Sequence, residues 1–342
     1  IPSGIYTDLG AKQLRTMLFE QTQITGLFCF ENRRTIFENV DCRFKFVVLT
    51  FTRGGSTRSF PAAFMRHNVA ELDRFPEQGS IDISVDLVKR LSPDSLSVME
   101  FKNETDLAVA QKLSKFPMLG DDLPGKWKMV LGNEFHMTGD SDLFRTEPAR
   151  GRLPLYEGKM IWQFDHQHAA PKYWINEDEG RERILGRRGV DSGQHLEYEG
   201  YRFAFREIAS STNERGFVAT ILPRRVFANH KLMLSTAKSP LSLPELLFVA
   251  GVTNAFAFDY MVRQRTTTTV SMYTFYQLPV PRLTAKDKAF GPIVERAARL
   301  ICTTPEFDDL AREVGLKSHK QGATDPAERA LLRAELDGLI AH

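Results

Sequence analysis

Residues 201–223 constrain the fold more than any other stretch of this chain. Tyr201-Arg-Phe-Ala-Phe-Arg-Glu-Ile-Ala209 and Phe217-Val-Ala-Thr-Ile-Leu-Pro223 alternate apolar and polar residues, and the polar run between them ends in Gly216. Two such runs around a polar turn predict a β-hairpin. Arg202, Arg206, Arg215, Arg224 and Arg225 lie along it or just beyond, and from Arg181 to Lys231 ten Lys and Arg face six Asp and Glu. The whole chain carries a formal net charge of only +2. A sheet that gathers guanidinium groups while the rest stays near neutral reads as a surface for an anionic partner, because guanidinium presents a planar donor fork to phosphates and guanine edges. The plainer alternative is a solvated sheet face whose arginines pair with neighbouring carboxylates.

The totals narrow the class. A chain of 342 residues buries a sizeable core and divides into two or three domains. With 42% apolar and 26% charged residues it is an ordinary globular chain, and near-neutrality argues against a wholly non-specific nucleic-acid binder. Cys29, Cys42 and Cys302 show neither paired spacing nor a zinc pattern, which points to a reducing cytoplasm. Cys29 and Cys42 lie in apolar, strand-like runs and are expected as buried, inert thiols. No apolar run approaches the ~18–20 residues needed to span a bilayer, so no membrane partner is expected. Ile1-Pro-Ser-Gly4 reads as the exit of a strand, and Leu339-Ile-Ala-His342 as a helix cut midway; both ends look like those of a fragment.

Along the chain, residues 1 to about 18 give a strand end, a turn at Asp8-Leu9-Gly10 and a helix with Leu14, Met17 and Leu18 on one face. Ile24–Phe30 and Phe44–Phe51 read as buried strands, joined by the polar loop Glu31-Asn-Arg-Arg-Thr-Ile-Phe37. Strand, helix, strand, loop, strand is the second half of a doubly wound α/β sheet, a fold that binds ligands at its strand ends. From Phe60 to about Gly120 the pattern loosens into a spacer, with a short strand at Ile81–Val85 and short helices at Ser84–Leu91 and Asp106–Phe116.

Aromatic residues and histidines then accumulate from Trp127 to Pro171. Asp165, His166 and His168 have the chemistry of zinc or manganese ligands, but no second His/Cys pair stands at a matching spacing. Histidines ending an aromatic strand more often donate hydrogen bonds to backbone or to a bound partner. Leu243 to about Arg265 is apolar nearly all round and predicts one buried helix. Arg263 and Arg265 at its end either answer the helix dipole or reach phosphates, and the polar run Thr266–Thr269 follows. Beyond the stiff Leu278-Pro-Val-Pro281, residues 286–342 are helical and amphipathic, with Pro305 and Asp325-Pro326 opening helices.

The order of these segments resembles the central part of N6-adenine DNA methyltransferases of the Eco57I/TaqI-like type, enzymes of restriction–modification and phage-defence systems. The resemblance is carried by Pro2-Ser-Gly-Ile5, Phe30-Glu-Asn-Arg33 with Ile36-Phe37, Arg43-Phe-Lys-Phe46, Phe135-His-Met-Thr138, Tyr156–Met160 with Phe164-Asp-His166, Thr212-Asn-Glu-Arg215, Phe258-Asp-Tyr260 with Arg263, and Leu278–Pro281. It covers nearly the whole chain. It implies an α/β (α+β overall) architecture: residues 1–55 as the last strands of a Rossmann-like methyltransferase sheet, 56–119 as a spacer, 120–285 as the target recognition domain and 286–342 as a helical tail.

The function so implied is sequence-specific recognition of double-stranded DNA within an S-adenosylmethionine-dependent adenine-N6 methyltransferase. Phe37 matches the family's aromatic that packs on a flipped-out adenine, whose lost stacking costs a few kcal/mol; its alternative is a core residue. Lys159, His166, Arg206, Asn213, Arg215, Arg224, Arg263 and Arg265 are the candidate DNA contacts, Arg and Asn suiting guanine and adenine edges and Lys suiting phosphate. Two departures stand out. The Asn/Asp-Pro-Pro-Tyr/Phe motif is missing, and so is a Gly-rich cofactor loop after a first strand, since Arg53-Gly-Gly55 follows a late one. S-adenosylmethionine is therefore expected on an upstream half of the same protein, and this chain alone is expected to bind DNA and transfer nothing. A nuclease domain or defence-system subunits are further expected partners. The rival reading is a non-enzymatic specificity subunit, which has no use for methyltransferase strands. A plain α/β hydrolase lacks a nucleophile elbow here.

Overall fold

The structure, a computed structural model, describes every residue except 35, 187–188, 209–212, 239 and 266–267. Ser210–Thr212 of the expected hairpin turn and Thr266–Thr267 of the threonine run thus lie outside the described residues. The chain divides into two compact units, Ile1–Phe116 and Pro117–His342.

The first unit carries helices α1 (Gly4–Thr7) and α2 (Lys12–Gln21), then strands β1 (Thr22–Glu31), β2 (Lys45–Arg53), β3 (Ser59–Arg66) and β4 (Ile81–Ser84), and helices α3 (Val85–Leu91) and α4 (Glu104–Leu113). Its sheet runs β2-β1-β3-β4. β1 is antiparallel to β2 and parallel to β3, and β3 is antiparallel to β4. The result is a small mixed sheet of α/β type rather than a run of parallel strands. Ile1 and Pro2 lie along the outer edge of β2: the Ile1 carbonyl accepts from Val47 N at 2.7 Å, and Pro2 bridges Phe46. Residues 56–119, expected as a spacer, supply two of the four strands. Their short strand and helices fall close to where the sequence put them.

α2 buries a different face from the one expected. Leu18 and Phe19 pack inward with Arg15, while Leu14 and Met17 are exposed. Arg15 is tolerated inside because its donors meet backbone oxygens: Ile5 at 2.8 Å, Asp8 at 2.6 Å and Ser95 at 2.7 Å. A buried cation so satisfied avoids most of the cost of lost hydration. Cys29 is fully buried, as expected, but Cys42 is exposed in the loop before β2.

The second unit begins with β5 (Leu131–Gly132), β6 (Arg152–Tyr156), β7 (Tyr173–Asn176) and α5 (Glu177–Leu185). β8 (Arg202–Arg206) and β9 (Ala219–Leu222) form the hairpin read from the sequence, in antiparallel register from Arg202↔Leu222 to Phe205↔Ala219. β10 (Phe227–Ala228) and β11 (Leu232–Ser235) follow. They build two small sheets, β10-β6-β7 and β5-β11-β8-β9. Both arms of the hairpin are buried on both faces, so the alternation in its sequence does not mark a solvated side.

Next come α6 (Leu243–Thr253), α7 (Phe256–Arg263), α8 (Met272–Tyr276), α9 (Phe290–Ile301), α10 (Asp308–Glu313) and α11 (Pro326–Ala341). Ser242 caps α6 through a capping box with Glu245, and Asp325 caps α11 by accepting from Ala327 and Glu328. The single buried helix expected from Leu243 to Arg265 is broken into α6 and α7, which meet at 62°. The backbone leaves the helix at Ala255, which is extended, and Asn254 anchors the corner. Its side chain bonds the N–H and C=O of Ala219 on β9, at 3.2 and 2.9 Å, and so ties the corner to the hairpin. Among the described residues no single helix is long and apolar enough to cross a membrane. Phe205 stacks on Phe275 at 4.8 Å, and Phe217 packs on Phe205 and Phe258 at 4.9 Å. This aromatic cluster fixes the hairpin against α7 and α8, each pair adding about 0.5–1.5 kcal/mol beyond area burial.

Candidate nucleic-acid interface

The arginines of the hairpin are mostly spent inside the protein. Arg202 is buried, donates to the Val226 carbonyl at 2.5 Å and pairs with Glu134. Arg215, 4% exposed, pairs with Asp337 of α11 at 3.2 Å and lies over the Phe256 ring. Arg263 pairs with Asp259 at 2.7 Å and donates to the Asn213 and Glu214 carbonyls at 2.8 and 3.0 Å. Asn213, Arg215 and Arg263 are thus brought together, as the clasp of the hairpin's return arm. Arg225 pairs with Glu177 at 2.5 Å. Arg224 is half-exposed over the Tyr201 ring and paired with Asp309 at 2.6 Å. Arg265 donates to Gln277 at 3.1 Å, and burial pushes its guanidinium down to about 10. His166 is 3% exposed, with Nδ1 3.1 Å from the Tyr156 hydroxyl and Nε2 3.3 Å from Thr304 Oγ1. Burial lowers its pKa, so it is neutral at physiological pH. As it stands, His166 meets the protein's own hydroxyls. Among the described residues no group of three or more His, Cys, Asp or Glu is placed to hold a metal ion.

Lys159 and Arg206 are the two sequence candidates that meet on an open surface. Arg206, at the end of β8, donates to the Lys159 carbonyl at 3.4 Å and to that of Ile161, and its Cζ lies 5.0 Å from the centroid of Trp162. Partial burial lowers its pKa, yet guanidinium stays charged. Trp162 is half-buried and stacks on the exposed His168 at 5.3 Å. A side chain at Gly158 would meet the Lys231 carbonyl at 3.7 Å and Arg206 Cγ at 3.8 Å, so Lys231 borders the same patch. Lys231 adjoins His230, whose ring stacks on exposed His136 at 4.9 Å and 17°. Lys159 pairs with Glu157 at 3.2 Å, and Lys231 with Glu207 at 2.6 Å.

This strip holds Lys159, Arg206 and Lys231, the imidazoles of His136, His168 and His230, and the indole of Trp162, against two carboxylates. Cations interleaved with flat rings suit a polyanion that also offers π-faces. Sequence reading missed Lys231, His230, His136 and Trp162 as members. Their one signal was the density of histidine and aromatic residues between Trp127 and Pro171, and nothing linear ties that stretch to Lys231.

In the first unit Phe37 is 51% exposed and packs edge-on against Phe46 at 4.7 Å, so it is not a core residue. Asn32, fully buried, holds it there. Its Oδ1 accepts from Phe37 N at 2.9 Å, and its Nδ2 donates to the Phe37 and Val40 carbonyls at 3.0 and 2.8 Å.

No family model matches the sequence, and no curated protein matches it. Solved structures do align. The type IIG restriction endonuclease BpuSI matches 99% of this chain at 13% identity, with a TM-score of 0.40 over 46% of its own length. The type IIL restriction-modification enzyme MmeI, in complex with DNA, matches 99% at 12% identity, with a TM-score of 0.47 over 45% of its length. Restriction enzymes stand among the structural neighbours. The HsdS subunit from Thermoanaerobacter tengcongensis matches 70% of the chain at 15% identity, with a TM-score of 0.27 over 51% of its length. This chain spans less than half of the first two proteins.

Proposed function

We propose that this chain is the DNA-recognition part of a restriction–modification enzyme, an S-adenosylmethionine-dependent adenine-N6 methyltransferase, and that its second unit grips double-stranded DNA. The observation that carries the reading is the partly exposed strip on which Lys159, Arg206 and Lys231 meet Trp162 and three imidazoles. The cations bind backbone phosphate. In the first unit Phe37, exposed on a loop clamped by Asn32, is the wall for an extruded adenine. No step of methyl transfer is assigned to these residues, and the cofactor belongs to other polypeptide of the parent protein. The reading places the parent in the bacterial cytoplasm, where its substrate lies.

The test is duplex binding followed by fluorescence anisotropy between 50 and 200 mM salt. The expected log–log slope is steep, at about −0.9 per phosphate contacted. Lys159→Ala and Lys231→Ala each flatten it by about one contact. Absence of duplex binding at low salt, or slopes unchanged in both variants, overturns the reading.

A further inference from the structure

His136 and His230 sit face to face at one end of the strip, on segments that the fold brings together. Phe135 and Asn229 form a parallel bridge, and His230 N donates to the Phe135 carbonyl at 2.8 Å, so the ring pair is set by backbone pairing. The pair's electrostatic surroundings are lopsided. Lys231 adjoins it, and the nearby carboxylate, Glu207 at the end of β8, is already occupied by Lys231 Nζ at 2.6 Å. On the His136 side, Asp140 accepts from the His136 main-chain N–H at 2.7 Å and is paired with Arg183. Each nearby carboxylate is therefore engaged. His230 Nδ1 is enclosed on the protein side, by the Phe135 carbonyl. An ammonium beside His230 opposes a positive charge on that ring, and an anion joining them would relieve it.

We propose that His136, His230 and Lys231 form a seat for one phosphodiester of the bound DNA, and that the seat takes up a proton from water as the phosphate arrives. The proposal rests on the duplex reading above and adds a specific anion site to it. Burial, then Lys231, then His136 lower the pKa of His230, so the free seat is uncharged on that ring at neutral pH. A phosphate at the open side of the ring pair supplies the missing negative charge, which favours imidazolium. By linkage, affinity rises as pH falls, by at most tenfold per pH unit for one proton taken up.

Duplex affinity of the full chain at fixed ionic strength between pH 8 and 5.5, beside NMR titration of the histidine ring protons with and without inorganic phosphate, tests this. Wild-type affinity is expected to increase several-fold across that range. His230→Asn and the exposed His136→Asn are expected to lose most of the increase, whereas Lys159→Ala weakens binding but keeps it. Added phosphate is expected to raise the pKa of His230. If both histidine variants bind duplex with the wild-type pH dependence, the seat is wrong and the duplex reading stands. If duplex does not bind at any pH while phosphate still moves the His230 titration, the seat stands and the duplex reading falls.

Discussion

Arg215 and Asp337 are 122 residues apart in sequence, and their side chains meet at 3.2 Å beneath the Phe256 ring. Asp337 Oδ1 also accepts from Phe256 N at 2.6 Å, so one carboxylate on α11 closes both the hairpin's return arm and the start of α7. The C-terminal helix is thereby part of the hairpin's support.

The first prediction follows from that carboxylate. Asp337→Ala leaves a buried guanidinium without its counter-charge, and such one-sided removals cost about 3–5 kcal/mol when burial is complete. Asp337 is partly exposed, so about 2–3 kcal/mol is expected. Asp337→Asn keeps an acceptor for Phe256 N and loses less. Chemical denaturation measures both; equal stability of wild type and Asp337→Ala would remove the clasp from the account.

A second prediction concerns α6 and α9. A methyl group at Gly251 would stand 2.9 Å from Ile293 Cγ2, closer than real Cβ contacts come. Gly251→Ala is therefore expected to push α9 away and cost about 1–3 kcal/mol, despite alanine's better helix propensity. Pairing it with Ile293→Leu, which moves the branch away from Cβ and so removes the Cγ2 methyl, recovers part of the loss. A lower thermal midpoint for the single variant than for the pair is the expected result.

Stability should also depend on pH through His166. Its folded-state pKa is held below the ordinary 6.5 by burial, so the unfolded chain binds the extra proton first. The contribution is complete above about pH 6.5 and is lost as pH falls below it, at no more than about 1.4 kcal/mol per pH unit. His230, also depressed, adds a share of the same sign. His166→Gln should flatten the fall in thermal midpoint between pH 7 and 5, and an unchanged profile would show that folding does not lower the ring's pKa.

What could be read from the sequence, and what could not, divides by range. The β8–β9 hairpin was legible because its turn and its two arms are local, and the helix start at Asp325-Pro326 because capping is local too. The fate of its arginines was not. Arg202 is answered by Glu134, 68 residues earlier, and Arg215 by Asp337, 122 residues later. No linear pattern carries those distances. The break beside Asn254 was hidden for the same reason, since the bonds that anchor the corner go to Ala219. On the strip, Arg206 stood out as a cation of the alternating hairpin, and Lys159 lies in the Tyr156–Met160 segment that carries the family resemblance. Lys231 and the His136–His230 pair were missed because a bridge between Phe135 and Asn229 brings them together.

The last prediction separates Phe37 from the residue that holds it. Phe37 is half-exposed and touches Phe46 by one ring edge, so Phe37→Ala should cost at most about 1 kcal/mol of stability. Asn32 is buried and makes three hydrogen bonds to the loop backbone, and Asn32→Ala leaves those groups unpaired at a cost of about 2–3 kcal/mol. If Phe37 is the wall for an extruded base, the two variants converge in function although they differ in stability. A duplex bearing 2-aminopurine opposite an abasic site, bound at saturating protein, should be quenched by wild type through stacking on Phe37. Both Phe37→Ala, which lacks the ring, and Asn32→Ala, which frees the loop, should quench it less. Equal quenching by all three proteins would leave Phe37 as a surface aromatic without that role.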